Sequence, residues 1–188
     1  MDERSYRFEY DAGTIRQGRN CVESLSSDLA GLDCDRAMVV CGQTVGSTDA
    51  VMEQITDGLG EKLAGVFDET TPKKRLETVF AGARHAEEVG ADALVAVGGG
   101  SSLDVAKGIS AVAANDDDGE TIADQFAGAG LVPVPDGELL PIVAIPTTLA
   151  GADLSILGGI TASPSSGLVE EPVGGGIDHL LPGVRRAP

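Results

Sequence analysis

The chain has 188 residues, 42% of them hydrophobic, which is enough for one sizeable core and makes a single domain the starting expectation. Thirty acidic against thirteen basic residues give a formal charge of −17, with only four lysines, Lys62, Lys73, Lys74 and Lys107. That balance excludes a nucleic-acid partner held by a basic patch, and it points to a solvated acidic surface suited to high salt.

Residues 6–10 alternate as a half-buried strand, residues 11–13 turn it, and residues 14–17 return as its hairpin partner, a front end expected to pack against a sheet edge. Residues 21–29 place Val22, Leu25 and Leu29 at helical spacing, and 37–41 is an apolar run of buried-strand type. Residues 42–47 turn. Ser47 or Thr48 then stands where it would cap a helix through Val51, Ile55 and Leu59, and 63–67 is a short strand. Pro72 opens a helix over 73–88, with Leu76, Phe80 and Ala83 inward and His85 late in it. Residues 93–97 read as a strand buried on both faces; after three glycines comes a helix to about residue 114, with Leu103, Ala106, Ile109, Val112 and Ala113 at helical spacing. The acidic loop 115–120 is solvated and lacks the spacing and closing glutamate of a calcium loop. Residues 121–126 form a short helix, 131–135 is extended and proline-rich, and 141–145 is another buried strand ending at Pro146. This alternation predicts an α/β fold, a Rossmann-like parallel sheet with helices on both faces and a small β-hairpin at the start.

No apolar run approaches the length of a membrane span, and the charged start is no signal peptide, so the expectation is a cytoplasmic protein without a membrane partner. Cys21, Cys34 and Cys41 are odd in number and lack CxxC spacing, which argues against a disulfide framework and against a zinc site.

The chemistry concentrates at Gly98, Gly99 and Gly100, between strand and helix. Glycine permits positive φ there and lets a ligand approach where a Cβ would block it. Ser101 or Ser102 stands where it would cap the helix, whose first-turn amides face whatever lies above, a setting that favours phosphate. A glycine-rich turn is also a common plain connection, and this one matches neither frequent phosphate loop: Leu103 replaces the third glycine of the dinucleotide fingerprint, and Gly-Lys-Ser/Thr is absent. Ligands of such sheets lie beyond the carboxyl ends of the strands, which brings together the turn after Cys41, the turn 98–102 and the segment 147–153. Thr147 and Thr148 offer hydroxyls there. Asp104 is favourable in a first helical turn whatever the function, Lys107 is spaced to pair with it, and Asp153 reads as a solvated loop acid.

The run Gly98-Gly99-Gly100-Ser101-Ser102-Leu103-Asp104-Val105-Ala106-Lys107 resembles the Gly-Gly-Gly-Ser-x-x-Asp-x-Ala-Lys signature of the iron-containing (group III) alcohol dehydrogenases at every specified position. Pro146-Thr147-Thr148-Leu149-Ala150-Gly151-Ala152-Asp153 is similar to the family's Pro-Thr-Thr-Ala-Gly-Thr-Gly-Ser-Glu segment, and closer to the Pro-Thr-Thr-Tyr-Ala-Gly-Ser-Glu form of its maleylacetate reductase branch. The resemblance covers most of residues 1–161. It implies a dehydroquinate synthase-like nucleotide domain over 1–162, followed by an irregular tail over 163–188. It implies NADP or NAD as cofactor, with Gly98, Gly99, Gly100, Ser101, Thr147 and Thr148 on the dinucleotide, Asp104 near the nicotinamide ribose and Asp153 on the substrate side. Members that prefer NAD tend to carry an Asp after the strand that here ends at Cys41. Gly42 takes that place, so the resemblance leans to NADP or dual use, with Asp49 as the other carboxylate to consider.

The implied reaction is hydride transfer between a nicotinamide and an alcohol, aldehyde or keto substrate, with a divalent metal, iron or zinc, as Lewis acid. The family's metal ligands, an Asp, a His four residues on and two further His in a following helical domain, have no counterpart. His85 lies in the nucleotide domain, and His179 directly follows Asp178, off a shared helix face. The expectation is thus no catalytic residue and no metal ligand in this chain, with a homodimer or other self-association through the surface such a domain would meet. A catalytically silent dinucleotide-binding domain is the alternative. The Gly- and Pro-rich stretch 163–178 and the acid-free end 180–188 read as an early stop or a frame change in a longer gene, with a deliberate cut as the other reading.

Overall fold

The computed structural model describes residues 6–10, 13–129, 132, 135, 137–155 and 158–161; the tail expected over 163–188 and most of the extended stretch 131–135 lie outside the described residues. Strands β1 (Tyr6–Tyr10) and β2 (Gly13–Gln17) pair antiparallel, Tyr6 opposite Gln17, as the expected hairpin. They form a sheet of their own. The hairpin is tied to the body through Arg16, whose Nη2 lies 2.6 Å from Asp28 of the helix α1 (Leu25–Ala30).

Among the described residues the main sheet is parallel and four-stranded, with β3 (Ala37–Cys41), β4 (Leu63–Phe67), β5 (Ala93–Gly98) and β6 (Ile142–Pro146) in the order β4-β3-β5-β6. Every residue of β3 and β5 is buried. Their side chains alternate between two cores, as the two-residue period of a strand requires. Met38, Val40, Leu94 and Ala96 face the helices α4 (Leu76–Glu88), α5 (Gly100–Ala113) and α6 (Gly119–Ala129). Ala37, Val39, Cys41, Ala93, Val95 and Val97 face α1 and α3 (Asp49–Leu59). A single helical turn, α2 (Gln43–Gly46), stands at the carboxyl end of β3 where a plain turn was expected.

Helices α4 and α5 interlock by reciprocal close approach. A Cβ at Gly82 of α4 would overlap Ile109 of α5, and one at Gly108 of α5 would lie 2.9 Å from Val79 of α4. Val79 and Ile109 are both 0% exposed, so each contributes about 1.5–3 kcal/mol of apolar burial. Val79, rather than Phe80, takes the innermost place on α4; Phe80 is half-buried at the margin of that core.

The helix expected from residue 73 begins at 76. Lys74 sits at φ +47°, outside the helical region, and Arg75 is extended at its N-cap. The cause is a parallel pairing with a distant segment, in which the Thr161 amide donates to Lys74 O and the Leu76 amide to Thr161 O, each at 2.9 Å. Strand β6, expected to be buried, is half-exposed from Ile142 to Ile145 because it is the last strand of the sheet among the described residues. Ala113 is exposed, since the buried stretch of α5 closes at Ala111. Thr48 does stand at the N-cap of α3, but its hydroxyl donates to Thr44 O at 2.6 Å instead of capping.

No disulfide joins Cys21, Cys34 and Cys41. Among the described residues no helix is long and apolar enough to cross a membrane.

Candidate functional site

Gly98 ends β5 opposite Pro146 of β6, and its carbonyl accepts from the Thr147 amide at 2.8 Å. At φ +143° it occupies a conformation that side chains resist, and a Cβ there would sit 2.6 Å from Ser102 Oγ. The chain then enters α5 with Gly99 as N-cap, extended at φ −80° and ψ −174°. The Gly99 carbonyl accepts from the Ser102 amide at 3.1 Å and the Leu103 amide at 3.4 Å. Neither serine caps the helix, contrary to expectation: α5 starts at Gly100 without a side-chain cap, and both serines lie inside it. Ser102 instead shares a buried hydroxyl–hydroxyl hydrogen bond of 2.9 Å with Thr70.

An α-helix start leaves its first amides without intrahelical acceptors, here those of Gly100 and Ser101, and the helix dipole adds positive potential at the same place. Gly99, Gly100 and Ser101 are all half-buried. The glycines also serve packing: a Cβ at Gly99 would lie 3.3 Å from Thr148 Oγ1, and one at Gly100 would lie 3.4 Å from the Ala150 Cβ. Thr147 and Thr148 are exposed beside them. The donor set suits the phosphates of a dinucleotide: amides on a helix end and two hydroxyls beside a turn of three glycines.

Gly42, the N-cap of α2, is the second corner of the site. It pairs with Glu69, and a Cβ on it would lie 3.2 Å from Thr70 O. Its carbonyl accepts from the Gly46 amide at 3.0 Å, so Gly46 stacks one turn above it. Asp68, the residue after β4, packs against that turn, such that a Cβ at Gly46 would lie 2.8 Å from the Asp68 Cβ and 3.1 Å from its Oδ2. Burial pushes the neighbouring Cys41 thiol up to about 11, and the Asp68 carboxylate adds to the rise. Asp49 is exposed in the first turn of α3.

Behind the glycine turn lies a buried charge cluster that the sequence showed only in part. Lys107 stands 3.8 Å from Asp104, as the spacing predicted, but Lys74 makes the shorter contact, Nζ to Oδ2 at 2.9 Å. Lys107 Nζ donates to Ala152 O at 2.8 Å and so holds the segment that carries Asp153. Burial lowers the Lys107 pKa; Asp104 and Asp153 oppose that shift, and Lys74 adds to it. Lys74 was missed because thirty residues separate it from Asp104 and only its left-handed backbone aims it there.

The described residues do not fit the family's metal. Among them no group of three His, Cys, Asp or Glu could hold one. His85 lies 3.7 Å from Glu88 and 6.3 Å, ring to ring, from Phe67.

A family model described as iron-containing alcohol dehydrogenase matches residues 12–171. The 4-hydroxybutyrate dehydrogenase of Cupriavidus necator is 32% identical over 141 residues, covering 75% of this chain and 36% of that protein. A maleylacetate reductase of Burkholderia cepacia is 25% identical over 157 residues, covering 84% and 37%. The crystal structure of sulfoacetaldehyde reductase from Bifidobacterium kashiwanohense in complex with NAD+ superposes with a TM-score of 0.65 at 22% identity, covering 75% of this chain and 36% of that one. At that identity the likeness carries the fold alone. The chain thus spans a little over a third of the length of the curated relatives it matches.

Proposed function

The chain belongs to the iron-containing alcohol dehydrogenase family, and from that premise we propose that it is the nucleotide-binding part of an NAD(P)-dependent oxidoreductase acting between an alcohol and its aldehyde or keto form. The observation that carries the reading is the start of α5, which keeps its amides uncapped beside a glycine at positive φ. In this assignment the turn Gly98, Gly99, Gly100 and Ser101 cradles the pyrophosphate. Thr147 and Thr148 donate hydroxyls to a phosphate or to the adenine edge, and Gly42 lets the adenosine ribose approach. Asp104, fixed by Lys74, stands toward the nicotinamide ribose, and Asp153 toward the substrate. The bound nicotinamide supplies the hydride chemistry. Nothing in the proposal runs through a metal held by these residues.

Calorimetric titration of the full chain with NADH in molar potassium chloride tests it: saturable one-site binding is expected, and no heat with either NADH or NADPH contradicts it. A silent dinucleotide-binding domain is the second reading, favoured by the lack of a metal-ligating cluster among the described residues. Cofactor binding without aldehyde reduction when iron or zinc is added selects that reading. We also propose a cytoplasmic, salt-adapted protein that self-associates; the charge of −17 and the exposed Val66, Leu149 and Leu154 support this, and a monomer on size exclusion in molar salt opposes self-association.

A further inference from the structure

We propose that Asp68 selects NAD over NADP, doing from the neighbouring strand what no side chain of Gly42 can do. The inference rests on the dinucleotide reading above and deepens it. In a sheet of this kind the adenosine ribose is read at the end of a strand adjacent to the phosphate turn, by a carboxylate that accepts from its hydroxyls. Strand β3 is adjacent to β5 and ends at Cys41, so that place falls at Gly42.

A side chain at Gly42 would be tight, because its Cβ position meets Thr70 O at 3.2 Å, and glycine offers no carboxylate there. The next strand supplies carboxylates in its stead. Phe67 of β4 is in register with Val40, which puts Asp68 beside Cys41, and Glu69 pairs with Gly42 itself. The Asp68 carboxylate lies against Gly46, which is hydrogen-bonded directly above Gly42. Residues 42–48 contain no Lys or Arg to offset it. Lys62 is engaged with Asp35 and Cys34 O, and Lys74 with Asp104. A ribose hydroxyl finds an acceptor at this corner. A 2′-phosphate, carrying close to two negative charges, meets like charge in a partly buried setting where screening is weak. The lean to NADP drawn from Gly42 alone is therefore reversed by its surroundings.

The test is titration of the full chain and of Asp68→Asn with NADH and NADPH under identical salt. The chain as it stands is expected to bind NADH at least tenfold tighter than NADPH, and Asp68→Asn is expected to bring that ratio to threefold or less by a gain in NADPH affinity. NADPH binding as tightly as NADH, or a ratio unmoved in Asp68→Asn, overturns the inference while leaving the dinucleotide reading intact. Binding of neither cofactor overturns both. Should Asp68→Asn fail to fold, Asp68→Ser takes its place with the same expected ratio, and in the unaltered chain NADPH binding as tight as that of NADH counts against Asp68 by itself.

Discussion

Helices α5 and α6 open in opposite ways. Before α6, Asp118 turns its carboxylate back on the Thr121 amide at 2.8 Å, so the helix satisfies its own first turn. At α5 the N-cap is a glycine without a side-chain cap hydrogen bond, and both nearby serines lie inside the helix. A self-capped start is a structural solution complete in itself. An uncapped start between Thr148 and a positive-φ glycine leaves donors for something else, and this difference, more than the count of glycines, singles out the end of β5.

The widest gap between the two starts should appear on adding a methyl group. Gly98→Ala forces a Cβ to 2.6 Å from Ser102 Oγ in a strained conformation. It should lower stability by about 1–3 kcal/mol in urea unfolding and weaken NADH binding more than tenfold. Gly119→Ala at the start of α6 meets only Phe80 carbons, at 3.9 Å, and should leave NADH affinity unchanged while gaining a few tenths of a kcal/mol.

The next effect concerns what stands behind α5. Lys74→Met leaves Asp104 without its 2.9 Å partner. Full burial would make such a loss cost about 3–5 kcal/mol; with Lys74 27% and Asp104 13% exposed, about 1–3 kcal/mol is expected in urea unfolding, with Lys74→Arg recovering most of it. The smallest effect belongs to α6. The Thr121 amide holds the Asp118 pKa below its usual value, so the cap is present above the ordinary carboxylate range and is lost as pH falls through the lowered value. The protection of the Thr121 amide, its exchange rate relative to the intrinsic rate at the same pH, should fall in acid and in Asp118→Ala, with NADH binding near neutral pH untouched.

Much of this was legible in the sequence, because strands β3, β4 and β5 are short apolar runs bounded by turn residues, and their limits follow from pattern alone. The two motifs likewise lie at the candidate site, since small residues and hydroxyls at a strand end are written locally. What escaped depends on partners distant in the chain. The late start of α4 comes from Thr161, the nearer of the two lysines on Asp104 is Lys74, and the acid beside Gly42 comes from the end of β4. The serine cap failed for a different reason: Thr70 offers Ser102 a buried hydroxyl partner, so the helix begins on the glycines instead.

In the function proposed above, the uncapped start of α5 receives a dinucleotide phosphate. Backbone amide resonances followed by NMR during an NADH titration address it directly, with Thr121 as the internal reference. Large shifts are expected at Gly99, Gly100 and Ser101, and none at Thr121. Saturation of the chain with NADH while those three amides stay unmoved would contradict it.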